Sequence, residues 1–212
     1  MIEDKSMIII FLGPQGSGKG TQAELLSKKI GLPVIETGQL FRIAARSKSV
    51  EGKAIKKKLA NGEFISDETT IQILKNQLEK INIEKGFILD GFPRNLTQAE
   101  FLEQFENRIV IYLDLPDREV IKRLSVRKIC SSCGKIFTGF EDLNNCSVCK
   151  GRLKRREDDK PKAIRKRLDL FKNSTVPLLD YFQNKGIIIK VDGRLSIEKI
   201  FENILKQLKK VL

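Results

Sequence analysis

A glycine-rich segment with a lysine follows the first apolar run of the sequence and could bind phosphate. It reads Gly13-Pro14-Gln15-Gly16-Ser17-Gly18-Lys19-Gly20-Thr21. Glycines let backbone N–H groups turn inward around an anion, and the N-terminus of a following helix adds the positive end of its dipole. Lys19 would then reach the β- and γ-phosphates of a nucleotide. The alternative is a glycine-rich strand-to-helix turn that binds nothing, which explains the glycines but not the lysine.

The residue after the lysine departs from the usual phosphate-binding loop. Ser or Thr at that position normally supplies a hydroxyl ligand to Mg²⁺. This chain has Gly20 there, and Thr21 comes one step later. The usual hydroxyl ligand is therefore missing, and the loop is not that of a generic P-loop ATPase.

The four cysteines form two pairs with metal-binding spacing. Cys130 and Cys133 make one Cys-x₂-Cys pair, and Cys146 and Cys149 make the other after a gap of 12 residues. Four thiolates suit a closed, structural tetrahedral Zn²⁺ site. An iron–sulfur cluster, a redox disulfide pair and four incidental thiols are the alternatives, and the paired spacing favours zinc over them.

The residues after each cysteine pair fit tight turns. Gly134 follows the first pair, and Lys150-Gly151 follows the second. The gap of 12 residues is shorter than the roughly 15–20 residues usual in such ribbons. We therefore expect a small region whose metal replaces a hydrophobic core.

Composition limits the other functions of the chain. Its 212 residues include 40 Lys and Arg against 27 Asp and Glu, a formal net charge of +13. Length and charge predict one domain with one or two small insertions and an anionic partner. The chain has no histidine, which excludes Ser-His-Asp and Cys-His catalysis, imidazole metal ligands and an imidazole pH switch.

The sequence gives no indication of export or membrane insertion. The longest apolar run, residues 7–12, is far shorter than the roughly 20 residues that span a bilayer. Residues 1–5 are too acidic for the start of a signal peptide. We expect a cytoplasmic protein without a membrane partner, in which cysteines are metal ligands more often than disulfides.

Short β-branched runs alternate with longer amphipathic stretches, as in a parallel sheet with crossover helices. The prediction is an α/β fold with a five-stranded parallel sheet flanked by helices. The first helix should run from Gly18 to Ile30 and stop at Gly31. The predicted strands are 7–12, 33–35, 87–89, 109–113 and 187–191.

Two regions interrupt this alternation. Residues 37–65 are helical in pattern and strongly basic, and residues 129–159 contain all the cysteines and exceed an ordinary loop in length. Both are predicted to be insertions on the α/β core. The predicted bounds are 1–35, 66–125 and 160–212 for the core, 36–65 for the first insertion and 126–159 for the second.

Several motifs in one order resemble a known family over essentially the whole chain. They are the phosphate loop, Thr37-Gly38-Gln39-Leu40-Phe41-Arg42, Leu89-Asp90-Gly91-Phe92-Pro93-Arg94, Arg123-Leu124-Ser125-Val126-Arg127, Arg156-Glu157-Asp158-Asp159 and Arg165-Lys166-Arg167. Together they closely resemble adenylate kinase, which converts ATP and AMP into two ADP with Mg²⁺. The resemblance implies a P-loop kinase core, an AMP-binding first insertion and a second insertion, the LID, which closes over ATP and carries zinc.

The resemblance also implies the site residues. Asp90 would order the water shell of Mg²⁺, and Gln39 departs from the Asp common in the Thr-Gly-Asp motif. The implied catalytic residues are Lys19, Asp90, Arg94, Arg123, Arg127, Arg156 and Arg167. The implied ATP site is Gly16, Ser17, Gly18, Lys19, Gly20, Thr21, Arg123, Arg127, Ile136, Phe137 and Leu195. The implied AMP site is Thr37, Gly38, Arg42, Glu63, Phe64, Ile65, Gly91, Arg94, Gln98, Arg156 and Arg167.

These residue types suit phosphoryl transfer on chemical grounds. That reaction needs aligned reactants and stabilisation of the charge on the moving group. Guanidinium groups bind phosphate oxygens bidentately and stay charged. No general base is required, which is consistent with a chain that lacks histidine.

Two other functions are alternatives. The related UMP/CMP kinases differ at Thr37 and Gln98, which favours AMP as the acceptor by resemblance. A Cys₄ ribbon with a charge of +13 is also typical of nucleic-acid-binding proteins, but aromatic residues make up only 7% of the chain and form no stacking platform. We expect ATP, AMP and ADP as partners, and neither nucleic acid nor an obligatory protein partner.

Overall fold

A five-stranded parallel sheet forms the centre of the fold. The structure is a computed structural model that describes residues 6–138 and 144–211. The strands are β1 (Met7–Leu12), β2 (Val34–Glu36), β3 (Gly86–Asp90), β4 (Asn107–Asp114) and β8 (Ile188–Asp192). They lie in the order β2-β3-β1-β4-β8, and all neighbouring pairs are parallel. All the carboxyl ends therefore lie at one edge of the sheet.

Both faces of the sheet are buried because successive side chains of a strand point to opposite sides. Ile8 and Ile10 of β1 belong to one hydrophobic cluster, and Ile9 and Phe11 belong to another on the other face. All four are inaccessible to solvent. Such continuous apolar strands are typical of parallel sheets that helices enclose.

Helices connect the strands and cover the sheet. A π-helical turn lies at Phe171–Thr175, and 3₁₀ turns lie at Leu102–Gln104 and Glu157–Asp159. None of the described helices is long and apolar enough to cross a membrane. The helices are α1 (Lys19–Ile30), α2 (Thr37–Ala44), α3 (Val50–Ala60), α4 (Asp67–Leu78), α5 (Leu96–Phe101), α6 (Asp117–Ser125), α7 (Pro161–Leu170), α8 (Pro177–Asn184) and α9 (Ile197–Val211).

The first interruption of the alternation is helical, as its pattern predicts. Helices α2 and α3 follow β2, and Ser49 caps α3 by accepting a hydrogen bond from the Gly52 N–H. Phe41, Ile55 and Ile65 form a buried cluster separate from the sheet. This region therefore has a small core of its own.

The second interruption contains a small antiparallel sheet. Its strands β5 (Lys128–Cys130), β6 (Ile136–Phe137) and β7 (Leu153–Lys154) lie in the order β6-β5-β7. Two of its three buried core residues are cysteines. Residues 139–143 of the predicted insertion, and the acidic residues 1–5, lie outside the described part of the chain.

The predicted strands agree with the observed ones to within two residues at each end. Helix α1 begins at Lys19 and not at Gly18, because Gly18 has a φ of 98° and lies outside the helix as its cap. Gly31 ends the helix as predicted, with a φ of 75°. The prediction of an α/β fold with this sheet is confirmed.

Candidate active site and metal centre

The glycine-rich loop lies between β1 and α1 and folds back around a lysine. Lys19 Nζ donates hydrogen bonds to the carbonyl oxygens of Gly13 and Pro14, both at 2.8 Å. Ser17 Oγ is buried, and it has no hydrogen-bond partner among the described residues. Gly16 packs against α6, since a Cβ there would lie 3.0 Å from Leu124 Cδ2. A ligand in the loop would satisfy the unpaired hydroxyl.

Asp90 lies at the carboxyl end of β3, beside this loop. A Cβ on Gly20 would lie 3.2 Å from Asp90 Oδ2, so the glycine that replaces the usual Ser or Thr leaves room for the carboxylate. Burial raises the pKa of Asp90 to about 6, although Lys19 opposes the shift. Burial also lowers the pKa of Lys19 to about 8, although Asp90 opposes it. The two charges therefore share a site withdrawn from water.

Arg94 follows β3 and is held by backbone and side-chain contacts. Its Nε donates to the Gly91 carbonyl at 2.8 Å, and its own carbonyl accepts from Thr175 Oγ1 at 2.9 Å. Thr37 Oγ1 donates to the same Gly91 oxygen at 2.9 Å. Burial, followed by the charge of Arg167, lowers the pKa of Arg94 to about 10. The guanidinium therefore remains charged at neutral pH.

The side-chain amide of Gln98 joins α5 to α4. Its Oε1 accepts from the Arg94 N–H at 2.8 Å, and its Nε2 donates to Asp67 Oδ1 at 2.7 Å. Asn95 caps α5 by accepting from the Gln98 N–H at 2.9 Å, and it donates to Asp67 Oδ1 at 2.8 Å. The Asp67 carboxylate at the start of α4 thus accepts hydrogen bonds from the side-chain amides of Asn95 and Gln98.

Arg127 and Arg167 both contact adjacent carboxylates. Arg127 Nε and Nη2 donate to the two oxygens of Asp159 at 2.7 and 2.5 Å. Arg167 Nη1 lies 3.1 Å from Asp158 Oδ2 and 3.6 Å from Asp159 Oδ1. Burial alone would raise the pKa of Asp158, but Arg167 and Arg156 hold it below its usual value. These carboxylates order the arginines that the sequence predicts to bind phosphate.

Arg156 and Arg123 complete the predicted set of arginines. Burial, followed by the charge of Arg127, lowers the pKa of Arg156 to about 10. The buried Nε of Arg156 has no hydrogen-bond partner among the described residues. Arg123 Nη2 donates to the Gly193 carbonyl at 2.7 Å, and Nη1 donates to the Gly16 carbonyl at 3.4 Å. Arg123 therefore joins α6 to the phosphate loop.

The other predicted AMP-site residues lie on α2 or in the segment between α3 and α4. The Arg94 guanidinium stands 5.3 Å from the centroid of the Phe64 ring. Arg42 Nη2 donates to Glu36 Oε1 at 2.6 Å. Glu63 forms an ion pair with Lys166 of α7, with 2.8 Å between oxygen and nitrogen. Gly38 packs against Arg42. Ile65 belongs to the buried cluster that contains Phe41.

Four predicted ATP-site residues lie away from this buried network. Thr21 is exposed on α1, and Ile136 and Leu195 retain 38% and 36% of their exposure. Phe137 packs against the buried cysteines. These residues face solvent or the cysteine cluster.

The four cysteines converge as their spacing predicts. Their Sγ atoms all lie within 4.8 Å of one another, with 3.4 Å between Cys130 and Cys149 and 3.6 Å between Cys133 and Cys146. A tetrahedral zinc with Zn–S bonds of about 2.3 Å needs sulfur atoms roughly 3.8 Å apart. The Cys133 and Val148 N–H groups donate to Cys130 Sγ and Cys146 Sγ, both at 3.4 Å. The cluster fits zinc in donor type and geometry.

The two turns of the cysteine cluster place different residue types in the left-handed backbone conformation. Gly134 has a φ of 76°, as the tight turn predicts. In the second turn Lys150, with a φ of 60°, adopts the left-handed conformation in place of Gly151. Gly151 is needed for space, because a Cβ there would lie 2.4 Å from Ser132 Oγ and 2.9 Å from Cys130 Sγ.

The sequence did not predict several residues that order this site. Asp158 and Asp159 stand beside Arg156 in a motif of the sequence, and that adjacency was a usable signal. Thr175 and Asp67 give no comparable signal, because they meet Arg94 and Gln98 only in the folded chain.

Comparison with known proteins identifies the family of this chain. The sequence model of the adenylate kinase family matches residues 11–187. The chain is 41% identical to an adenylate kinase of Archaeoglobus fulgidus, over 97% of this chain and 99% of that protein. It is 45% identical to an adenylate kinase of Treponema denticola, over 92% of this chain and 95% of that protein. On this coverage and identity, the chain belongs to the adenylate kinase family.

Proposed function

We propose that this protein is a phosphotransferase that moves the γ-phosphoryl group of ATP to AMP, reversibly, and forms two ADP. The observation that carries the proposal is the convergence of charged groups on the phosphate loop. Asp90, Arg94, Arg167 and Arg127 all act electrostatically on the half-buried Lys19. Membership of the adenylate kinase family and relatives named adenylate kinase support ATP and AMP as substrates.

The phosphate loop provides the donor side. We assign the phosphates of ATP to the backbone N–H groups of residues 16–20 and to Lys19. Lys19 now donates to two loop carbonyls, so it is already at the mouth of the loop. Arg123 donates to the Gly193 carbonyl and, at 3.4 Å, to the loop carbonyl of Gly16, which supports a role for its charge beside the same phosphates. The second insertion, residues 126–159, would close over this nucleotide as the LID.

Asp90 is the group on this chain that suits Mg²⁺. Carboxylate oxygens are preferred ligands of magnesium, and Gly20 leaves the space that brings Asp90 to the loop. Bound Mg²⁺ would neutralise charge on the β- and γ-phosphates. Asp90 must be ionised for this role, and its pKa of about 6 leaves it ionised at neutral pH.

The residues around Arg94 provide the acceptor side. We assign the phosphate of AMP to Arg94 and Arg42, and its base to the pocket near Phe64 and Gln98. The first insertion, residues 36–65, would be the AMP-binding domain. Fixed arginines cost little reorganisation when the charge moves between nucleotides. Arg94 is fixed at Gly91 and Thr175, which suits that requirement.

Arg127, Arg156 and Arg167 would stabilise the phosphoryl group in transit. Arg156 keeps a buried Nε donor unpaired among the described residues, and an anionic ligand would satisfy it. The reaction proceeds without a general base, because the acceptor phosphate is already anionic near neutral pH. Closure of the second insertion over the nucleotide would also keep water from competing as the acceptor.

We propose that zinc holds the second insertion together and takes no part in the chemistry. Four thiolates would fill the coordination sphere, and the small core around them contains little besides the cysteines. The reaction involves free nucleotides only, and we place it in the cytoplasm. Neither alternative, a UMP/CMP kinase or a zinc-ribbon nucleic-acid-binding protein, is favoured by the relatives.

The experiment that tests this function is the stoichiometry of the reaction. With Mg²⁺, ATP and AMP, two ADP should form for each AMP consumed. With AMP omitted, release of inorganic phosphate from ATP should be negligible. ATP hydrolysis at the same rate with and without AMP would contradict the proposal.

A further inference from the structure

The Gln98 carboxamide is held between two partners of opposite kind. A backbone N–H, that of Arg94, can only donate, and an ionised carboxylate, that of Asp67, can only accept. The Arg94 backbone nitrogen lies 2.8 Å from Gln98 Oε1, and Asp67 Oδ1 lies 2.7 Å from Gln98 Nε2. Gln98 is only 2% exposed, so water does not compete for these contacts. The positions of oxygen and nitrogen in the amide are therefore fixed.

Rotation of the amide by half a turn would reverse both contacts. Nε2 would then face the Arg94 N–H, donor against donor, and Oε1 would face the Asp67 carboxylate, acceptor against acceptor. The Gln98 amide would lose both hydrogen bonds, and at 2% exposure it could not replace them with bonds to water. The Asp67 contact is the stronger constraint, because hydrogen bonds to charged groups are the stronger ones.

Asp67 is itself held in place. Asn95 Nδ2 lies 2.8 Å from Asp67 Oδ1 and 3.0 Å from Oδ2. Asp67 is also the first residue of α4, where the positive end of the helix dipole favours a negative charge. Ser66 caps the same helix by accepting from the Thr69 N–H. The carboxylate is thus an ordered acceptor.

We propose that Asp67 is a positioning residue that sets, through Gln98, which base the acceptor site takes. The inference rests on the proposed function, in which Gln98 contacts the base of the acceptor nucleotide. In its observed orientation the amide retains one N–H and one oxygen lone pair for a ligand. That pair matches a base with a ring-nitrogen acceptor beside an exocyclic amino group, such as adenine. The 6-oxo analogue, hypoxanthine, presents the reverse pattern and matches only the rotated amide.

The test compares AMP with inosine monophosphate as acceptors for Mg²⁺-ATP. Asp67→Asn keeps the size of the side chain but can donate as well as accept, so it removes the stronger of the two constraints against the rotated amide and leaves that of the Arg94 N–H. Asp67→Ala removes the acceptor altogether. Glu68→Gln is the matched control, because it removes a neighbouring charge in the first turn of the same helix. The measurement is kcat/KM for both acceptors in all four proteins, with the KM for ATP recorded alongside.

The expected result is a loss of selectivity confined to the Asp67 variants. The ratio of kcat/KM for AMP to that for inosine monophosphate should fall about tenfold or more, the scale of one hydrogen bond to a charged group. The ratio in Glu68→Gln, and the KM for ATP in every variant, should stay within about twofold of wild type. A residue that merely stabilised the fold would change both acceptors equally.

The outcomes separate this inference from the proposed function. Wild type without ADP formation from AMP would refute both. Wild type active with AMP, together with an unchanged selectivity ratio in both Asp67 variants, would refute the inference alone. An equal loss with both acceptors would also refute it, since Asp67 would then be only structural.

Discussion

The guanidinium of Arg127 and the carboxylate of Asp159 form a bidentate ion pair that is almost closed to solvent. Their side chains retain 6% and 2% of their exposure. The two residues flank the cysteine-bearing region, one just before β5 and the other in the 3₁₀ turn before α7. The pair therefore joins the two chain segments at the base of the proposed LID and holds an arginine that we assign to phosphate.

Replacement of Asp159 by asparagine should destabilise the protein strongly. Asp159→Asn leaves the buried charge of Arg127 without its partner, which costs roughly 3–5 kcal/mol when a buried pair is broken. The free energy of unfolding, measured with urea, should fall by about that amount, and the KM for ATP should rise. Glu157→Gln changes an exposed residue of the same turn and should change the free energy of unfolding by less than about 0.5 kcal/mol. Equal stability of the two variants would contradict this account.

Replacement of Lys19 should remove activity without harming the fold. Lys19→Met keeps the length of the side chain but deletes the charge at the phosphate loop, and kcat should fall roughly 10²–10³-fold, as for other preorganised donors. Because burial lowers the pKa of Lys19 to about 8, its charged form is unfavourable in the nucleotide-free protein. The melting temperature should therefore stay equal or rise.

Lys28→Met is the control for this prediction, because Lys28 is exposed near the other end of α1. It should leave both kcat and the melting temperature close to those of wild type. A Lys19→Met variant with wild-type turnover would remove Lys19 from the mechanism.

Asp90 should give the protein a characteristic dependence of stability on pH. Its pKa is raised from 3.8 in the unfolded chain to about 6 in the fold. Between these values the folded protein binds more protons than the unfolded chain. The protonated Asp90 therefore stabilises the fold fully below about pH 4. This stabilisation is lost as the pH rises through about 6. The free energy of unfolding of wild type, minus that of Asp90→Asn, should therefore fall across this range. A difference that stays flat or rises with pH would contradict the raised pKa.

Most of the core was predictable because the three central strands, β1, β3 and β4, each contain a continuous apolar run. The run Met7–Leu12 defines β1 without any tertiary information. The phosphate loop was equally clear, since its function depends on residues adjacent in sequence. The Arg127–Asp159 pair and the Thr175–Arg94 hydrogen bond were not predictable, because they join positions 32 and 81 residues apart. Such pairings depend on the packing of helices, which local patterns do not encode.

Zinc should be present and should stabilise the protein. Protein purified under reducing conditions should contain about one zinc per chain, as a closed Cys₄ site requires, by atomic emission. Removal of the metal should lower the melting temperature, because binding to a structural site contributes to folding, and Cys146→Ser should have the same effect. Phosphoryl transfer by the core should be reduced but not abolished. Zinc content near zero would refute the metal site.

Phosphoryl transfer from ATP to AMP is the activity that family membership and the charged groups at the phosphate loop support. The most direct test is a coupled assay of ADP formation with Mg²⁺-ATP and each of AMP, CMP, UMP and GMP at matched concentrations. ADP should form rapidly with AMP, and little or none should form with the other three. Absence of turnover with every acceptor, or a preference for CMP or UMP over AMP, would contradict that activity.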